Sequence, residues 1–372
     1  MNVGIDARVL EKNMTGIGRF LACLLQHIPE VDPQNEYYLF GYGKVGVGNE
    51  RFHSIATAPA FSSSKMFSPL WLHYVLPGQL KAHQIDVLYS PNFLAPPKRV
   101  ASRWKSIVVV CDTFHKLQKQ FLALYYRMYI NPVLERSIAQ SDAIVTISQH
   151  SKLDIVRSYS VAPERVRVIY PSAEHRFNPQ TLEGSRRKEI AERLKLPGRF
   201  VLCVGVVEAR KNIIGLTRIA DLLKRKGITT PIVLIGRAGF GFAKIMDEVR
   251  KRDNMLYISY VNDDVLPDVF KMASVFVFPS YYEGFGIPPL EAMQSGIPVV
   301  TSNTSSLPEV VGGAGSMFHP DDAEGFAAEI ARLLEDETYA ATKSKLGIIE
   351  AAKFSARDSA SSLVQLFSLV GT

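Results

Sequence analysis

The sequence predicts an α/β protein built from two doubly wound, Rossmann-like domains. Three observations lead there. The chain has 372 residues, too long for one ordinary core on a prior of roughly 150 residues per domain. Short apolar runs alternate with stretches of crossover length, the pattern of parallel sheets. That alternation stops near Pro171, passes through a charged segment, and restarts at Phe200.

Composition narrows the class. With 47% hydrophobic and 21% charged residues the chain is that of a soluble globular protein, and no apolar run approaches the roughly 20 residues needed to span a bilayer. The start, Met1-Asn-Val-Gly-Ile-Asp-Ala-Arg, reads as a core strand, so no secretory signal is expected. Cys23, Cys111 and Cys203 are widely spaced in apolar context and read as reduced core residues of a cytoplasmic protein. Charge is uneven. Residues 1–175 hold 19 basic and 13 acidic residues, net +6, leaving 24 against 23, net +1, for the rest. Residues 98–136 alone hold eight basic and two acidic residues, which suits nucleic acid or an anionic membrane surface.

In the first domain, assigned to residues 1–171, a strand over Asn2–Ala7 leads through Met14-Thr-Gly-Ile-Gly-Arg into a helix. Gly16 and Gly18 suit close approach of backbone to a phosphate, but Leu21 stands where a dinucleotide fingerprint needs its third glycine, which disfavours an NAD site. Strands follow at Tyr38–Gly41, Val87–Ser90, Ser106–Cys111 and Ala143–Ser148. Ligand groups in such sheets gather beyond the carboxyl ends of strands, which singles out Pro91-Asn92 and Cys111-Asp112-Thr113-Phe114-His115 as candidate ligand-side loops. A lone histidine near a loop is also often just a satisfied polar residue. From Lys116 to Ala139 the pattern is helical, with Leu117, Phe121, Leu124, Tyr125, Met128 and Tyr129 on one face and Lys116, Lys119 and Arg127 elsewhere. Such a helix packs on its own sheet or lies on a membrane, and the aromatic and basic stretch 61–77 adds to the membrane reading.

The second domain, residues 172–353, places strands at Phe200–Val206, Pro231–Gly236, Leu256–Tyr260, Val275–Pro279, Pro298–Ser302 and Gly315–Phe318. Ser306, Pro308 and Glu309 suggest a capping box, and Asp322 a cap for the helix through Leu334. After the first of these strands comes Glu208-Ala-Arg-Lys-Asn. Arg210 and Lys211 are adjacent cations at a strand end, placed for a diphosphate, because arginine grips phosphate oxygens in pairs while lysine acts as a point charge. A merely solvated helix start is poor electrostatics for cations.

The stretch Pro279-Ser-Tyr-Tyr-Glu-Gly-Phe-Gly-Ile-Pro-Pro-Leu-Glu-Ala-Met-Gln-Ser-Gly296 organises the rest. Gly284 and Gly286 let backbone N–H groups approach a ligand, and a helix starts near Pro289. Glu283 and Glu291 bracket an anion-favouring helix start, an arrangement complementary to a sugar nucleotide's diphosphate and hydroxyls. The plainer alternative makes Glu291 a partner of the helix dipole and Glu283 a solvated loop residue.

This stretch resembles the E-x7-E motif of the retaining GT-B glycosyltransferases of family 4, the mannosyltransferase-like group. The resemblance extends to Thr15–Arg19, Ser148-Gln-His-Ser, Ile169-Tyr-Pro-Ser, Gly205 with Arg210–Asn212, Gly236-Arg-Ala-Gly, Tyr260-Val261 and Ser305-Ser-Leu-Pro-Glu. It implies two facing Rossmann-like domains with a cleft between them, acceptor on the first and nucleotide sugar on the second, and a last helix, 354–372, packing back on the first. It implies donor contacts from Gly16, Gly18, Gly205, Arg210, Lys211, Gly236, Val261, Glu283, Gly284, Phe285, Gly286, Ile287, Leu290 and Glu291. Arg210, Lys211, Glu283 and Asp112 take catalytic roles, with Asn92, Asp112 and His115 on the acceptor side. Cys111 stands where relatives carry a histidine, a departure that leaves that contact to Cys111 or His115. No Asp-x-Asp occurs, so no cofactor and no metal are expected, and the cations with the helix dipole neutralise the diphosphate. GDP-mannose is the first donor implied and UDP-glucose the second, with a glycan or lipid-linked saccharide as acceptor at the cytoplasmic face of a membrane. The competing readings are a nucleotide-sugar epimerase of similar architecture and a basic nucleic-acid-binding protein, the latter disfavoured because no recognisable module for nucleic acid is present.

Overall fold

The computed structural model describes residues 1–11, 16–57, 68–98, 102–117 and 129–371. The chain forms two compact units, Met1–Ser172 with Ser355–Thr372, and Ala173–Phe354.

The first unit holds a seven-stranded sheet of order β3-β2-β1-β4-β5-β6-β7. Its strands are β1 (Asn2–Asp6), β2 (Glu36–Gly41), β3 (Phe52–Ala56), β4 (Val87–Ser90), β5 (Lys105–Val109), β6 (Ala143–Thr146) and β7 (Val166–Val168). All pairings are parallel. The central strands are apolar because helices cover both faces, as in doubly wound sheets. One face carries Phe40, Leu88, Val108 and Ile144 against Trp71, Leu72, Leu76 and Leu134. On the other, Phe367 of the last helix, Ala356–Gly371, meets the rings of Tyr89 and Tyr37 at 5.9 and 6.3 Å. Ser359 on that helix donates its hydroxyl to the Tyr170 carbonyl at 2.7 Å.

The second unit repeats the plan with six parallel strands in the order β10-β9-β8-β11-β12-β13. They are β8 (Val201–Val204), β9 (Ile232–Ile235), β10 (Met255–Ile258), β11 (Val275–Phe278), β12 (Val299–Ser302) and β13 (Ser316–Phe318). The Ile213–Arg225 and Ala323–Glu335 helices bury Leu216, Ile219, Leu223, Phe326 and Ile330 on one face of it.

Several local expectations are corrected. Strands β3 and β7 carry no apolar run that announces them; β3 reads Phe-His-Ser-Ile-Ala and buries only Phe52, and β7 reads Val-Arg-Val and buries only Val166. The helix expected near Pro289 begins two residues earlier, at Ile287. Ser306 does not cap the Leu307–Val311 helix. Its hydroxyl donates instead to the carbonyls of Glu283 and Phe285, at 2.9 and 2.6 Å. Asp322 does cap its helix, accepting from the Gly325 N–H at 2.9 Å.

Each strand order reverses direction once, between β1 and β4 in the first unit and between β8 and β11 in the second. At such a switch point neighbouring loops diverge to opposite faces and leave a crevice beyond the carboxyl ends, where doubly wound proteins bind ligands.

Candidate active site

In the second unit the switch point joins two loops that the sequence leaves far apart. The chain leaves β8 through Gly205 and makes a single 3-10 turn over Ala209–Lys211. It then enters the Ile213–Arg225 helix, capped by Asn212 in the left-handed conformation (φ 53°), whose side chain accepts from the Gly215 N–H. Leaving β11, the chain runs through Tyr281, whose N–H donates to the Arg210 carbonyl at 2.9 Å. That backbone bond sets the two loops side by side.

Glu283 is the hub. Lys211 Nζ lies 2.6 Å from its Oε1, and Arg210 Nη1 lies 3.2 Å from its Oε2 and 2.8 Å from the Tyr282 carbonyl. Arg210 also reaches Glu208 Oε1, at 3.0 Å from Nε and 2.8 Å from Nη2. The Glu283 N–H donates to Ser305 Oγ at 2.9 Å. Glu283 is only 6% exposed and Lys211 9%, so neither is a solvated loop residue. Burial pushes the Glu283 carboxyl up, but Lys211 and Arg210 outweigh it and hold the group below the usual carboxylate range. Burial also lowers the Lys211 ammonium, opposed by Glu283 and reinforced by Arg210. The ammonium stands 4.7 Å from the Phe278 ring centroid.

The remaining donor-side residues surround this cluster in the sequence order of the loops. Gly236, after β9, tolerates no side chain, since a Cβ there would stand 1.7 Å from the Gly205 carbonyl oxygen. Its close approach brings the β8 and β9 exits together. Val261 is buried beyond β10, and the neighbouring Tyr260 is 51% exposed, with the Arg237 guanidinium 4.8 Å from its ring centroid. Gly284, Phe285 and Gly286 are buried; Gly286, at φ +116°, makes the turn into the Ile287–Gln294 helix. Ile287 is partly exposed, while Leu290 and Glu291 are buried one turn inside. Pro288 and Pro289 carry no N–H, so this helix start offers its dipole and the N–H groups of the loop and Ile287, fewer donors than a helix without prolines. Burial at 4% exposure makes Glu291 more than a surface partner of the dipole.

In the first unit, Gly16 and Gly18 open the Gly16–Val31 helix; Met14 and Thr15 of the same motif lie outside the described residues. Asn92 is exposed beyond β4. Asp112 follows β5 and accepts from the Phe114 N–H at 3.1 Å, while the side chain of His115 lies outside the described residues. Cys111 is 7% exposed, and burial, then Asp112, pushes its thiol up, the state of a core thiol. Sequence reasoning passed over Asp6 and Arg8 at the switch point beside β4. Asp6 is fully buried and takes Arg8 on both oxygens, Nε at 2.8 Å and Nη2 at 2.6 Å. The guanidinium lies 3.9 Å from the Trp71 ring centroid, and its Nη1 donates to Ser68 Oγ at 3.0 Å. The signal available was an Asp-x-Arg at the carboxyl end of the first strand.

The expected basic surface is partly spent internally. Lys98 and Lys105 both pair with Asp142. Lys116 donates to the Ser158 carbonyl at 2.6 Å, lies 4.0 Å from the Tyr159 ring centroid and faces Glu135 at 3.6 Å. Arg99, Lys119 and Arg127, with 61–67 of the aromatic stretch, lie outside the described residues. Among the described residues no three His, Cys, Asp or Glu side chains gather into a metal-binding group, and no helix is long and apolar enough to cross a membrane.

Comparison with known proteins bears on both units. The model for Glycosyl transferases group 1 matches residues 185–353, and that for Glycosyltransferase Family 4 matches residues 14–175. The chain is 28% identical over 299 residues to an O-antigen chain mannosyltransferase B of Escherichia coli, covering 78% of this chain and 76% of that protein. It is 29% identical over 264 residues to a serotype-specific mannosyltransferase WbdA of Escherichia coli, covering 68% of this chain but only 32% of that longer protein. Among solved structures, sucrose-phosphate synthase of Thermosynechococcus elongatus superposes with a TM-score of 0.75 at 16% identity, over 99% of this chain and 98% of that one. WaaG, a glycosyltransferase of lipopolysaccharide biosynthesis, does so with 0.73 at 15%, over 98% and 99%. At these identities the structural likeness is one of fold. The epimerase and nucleic-acid readings draw no support from these relatives. With glycosyltransferase models matching both halves of the sequence and GT-B structures superposing on its whole length, the chain is a GT-B glycosyltransferase of the family-4-like group.

Proposed function

We propose that the protein is a retaining, metal-independent hexosyltransferase acting in polysaccharide synthesis. Its donor is GDP-mannose, with UDP-glucose as the second choice, and its acceptor a lipid-linked glycan at the cytoplasmic face of a membrane. The mannosyltransferase relatives favour the first donor. A fold neighbour, Anabaena Alr3699/HepE, solved with UDP-glucose, keeps the second in view; it superposes with a TM-score of 0.68 at 17% identity, over 99% of each chain.

One observation carries the reading: two cations converge on one buried carboxylate at the switch point of the second sheet. A departing nucleoside diphosphate takes the bonding pair from C1 of the sugar onto a phosphate oxygen. Arg210 and Lys211 stabilise that charge, with the dipole of the Ile287–Gln294 helix in support. Phosphate oxygens then share these cations with Glu283, which is left to accept from a hydroxyl of the transferred sugar, while Glu291 accepts from the ribose. The acceptor hydroxyl bonds to C1 and gives up its proton to the leaving phosphate; Asp112 serves the acceptor side. Membrane association is peripheral in this reading, carried by the basic and aromatic segments of the first unit.

The test is transfer from GDP-mannose and UDP-glucose to a lipid-linked glycan primer, with and without EDTA, and the product's anomeric configuration by NMR. Transfer that needs added metal, or an inverted product, would overturn the corresponding part.

A further inference from the structure

A second carboxylate, Glu208, sits against the cations of the switch point, and the transfer chemistry above gives it no part. Glu208 stands at the N-cap of the Ala209–Lys211 turn, yet its side chain makes no capping bond. It turns instead to Arg210, accepting from Nε at 3.0 Å and Nη2 at 2.8 Å on one oxygen, Oε1. The residue is fixed from behind. Its carbonyl accepts from the Lys211 N–H at 3.1 Å, and a Cβ at Gly239 would come 3.0 Å from the Glu208 Cβ, so the loop after β9 packs directly on its stem.

The charges of Arg210, Lys211, Glu208 and Glu283 therefore cancel within one contact network. The two carboxylates are not equivalent. Glu283, with a side chain 8% exposed, is the counter-charge that buried Lys211 requires. Arg210 already has Glu283 and the Tyr282 carbonyl on Nη1 without Glu208. The side chains of Glu208 and Arg210 are 22% and 20% exposed, and an ion pair that water reaches adds little to stability. A carboxylate beside a phosphate-binding cation does lower anion affinity. Glu208 also favours the charged form of Lys211, so its field covers both cations.

Donor and product differ in the charge that meets this field. In a nucleotide sugar the terminal phosphate is esterified to the sugar. Once transfer breaks that bond, the same phosphate has a further oxygen that loses its proton near about pH 6, so the nucleoside diphosphate carries about one negative charge more at pH 7. A fixed negative charge at Arg210 repels the product more than the donor.

We propose that Glu208 is a positioning residue that sets the balance between donor and product: its carboxylate orients Arg210 and weakens nucleoside diphosphate more than nucleotide sugar, so that the diphosphate leaves after transfer. This rests on the reading that Arg210 and Lys211 meet a diphosphate.

The full chain is titrated calorimetrically with GDP, UDP, GDP-mannose and UDP-glucose, and dissociation of fluorescent analogues of GDP and UDP is followed by stopped flow. Glu208→Gln keeps the length and an acceptor oxygen for Arg210 and loses only the charge. It binds nucleoside diphosphate about tenfold more tightly than wild type, mostly through slower dissociation, and the matching nucleotide sugar only about threefold more tightly. Both gains shrink at high salt. Glu208→Asp keeps the charge and stays within about twofold of wild type for both ligands. A residue that only supported the fold would weaken binding in both variants. If circular dichroism shows that Glu208→Gln does not fold, Glu208→Ala replaces it, with the same rise expected in the ratio of product to donor affinity. Equal gains for diphosphate and nucleotide sugar, or diphosphate binding unchanged or weaker in the folded neutral variant, overturn the proposal. The donor reading fails by a different result, a wild type that binds neither nucleoside diphosphate nor nucleotide sugar, and the proposal falls with it.

Discussion

Lys211 Nζ lies 2.6 Å from Glu283 Oε1, linking residues 72 apart in sequence across the switch point between β8 and β11. With Arg210 on the other oxygen, the carboxylate is held between two cations. The cations assigned to phosphate and the carboxylate assigned to the sugar are thus one electrostatic unit, and substitution of one changes the others.

Glu283→Ala leaves Lys211 buried without its counter-charge, and removing one partner of a buried pair costs about 3–5 kcal/mol. Glu283→Gln removes the same counter-charge but keeps the shape and frees both cations for phosphate. Both variants melt well below wild type; the glutamine variant binds nucleoside diphosphate at least as tightly as wild type yet transfers poorly. Calorimetric melting and titration with GDP and UDP check both, and wild-type melting in both variants would refute the unit.

Arg210→Ala lowers kcat by about 10²–10³, the usual loss for one group that stabilises transition-state charge. Lys211→Ala loses as much and also takes from Glu283 the nearer and more buried of its two cations, so its melting temperature falls more than that of Arg210→Ala. Steady-state kinetics beside melting curves separate the two effects; near-normal kcat in both variants rules out their role in departure.

Glu291→Ala weakens nucleoside diphosphate binding and leaves the Lys211–Glu283 pair in place. Its signature is lower affinity for GDP or UDP with little change for inorganic diphosphate, because the proposed contact is to ribose. Equal weakening for diphosphate alone would move Glu291 from ribose to fold support.

Acid stability has a definite sign. Glu283 is held below the usual carboxylate range by its cations, against burial. Asp32 is likewise held low, against burial, by Tyr37 and the N–H groups of Gln34 and Asn35, and Asp142 by Lys98 and the Ser106 N–H. Depressed carboxyls bind fewer protons folded than unfolded, so their contribution is complete above the ordinary carboxylate range. It is lost as pH falls through the folded values, below about pH 4. Denaturant melts from pH 7 to 3 should fall on that acid limb, and Asp32→Asn should flatten it.

Vesicle binding separates surface cations from internal ones. Each Lys or Arg near an anionic surface is worth roughly 1 kcal/mol and is screened by salt. Wild type should co-sediment with anionic vesicles at low salt and less at high salt, and Lys119→Ser/Arg127→Ser should reduce pelleting. Lys116→Ser, which removes the contacts to Ser158 and Tyr159, should lower the melting temperature and leave pelleting unchanged. Wild type that does not pellet would point to a soluble acceptor.

Taken as a string of residues, the chain already announces two parallel α/β units, because central strands such as Val201–Val204 and Val275–Phe278 must be apolar on both faces. It announces the Glu283–Glu291 loop and the Arg210-Lys211 pair, because glycines, prolines and adjacent cations at strand ends are local chemistry. Strands β3 and β7 stay hidden, since each buries a single side chain, Phe52 or Val166, and its neighbours alternate polar and apolar. The partners of a charge stay hidden too. That Glu283 takes both cations, that Lys116 serves its own domain, and that Arg8, paired with Asp6, lies over Trp71 are facts of the tertiary fold. Burial then turns those neighbours into obligatory partners, because a charge removed from water must find its counter-charge within the fold.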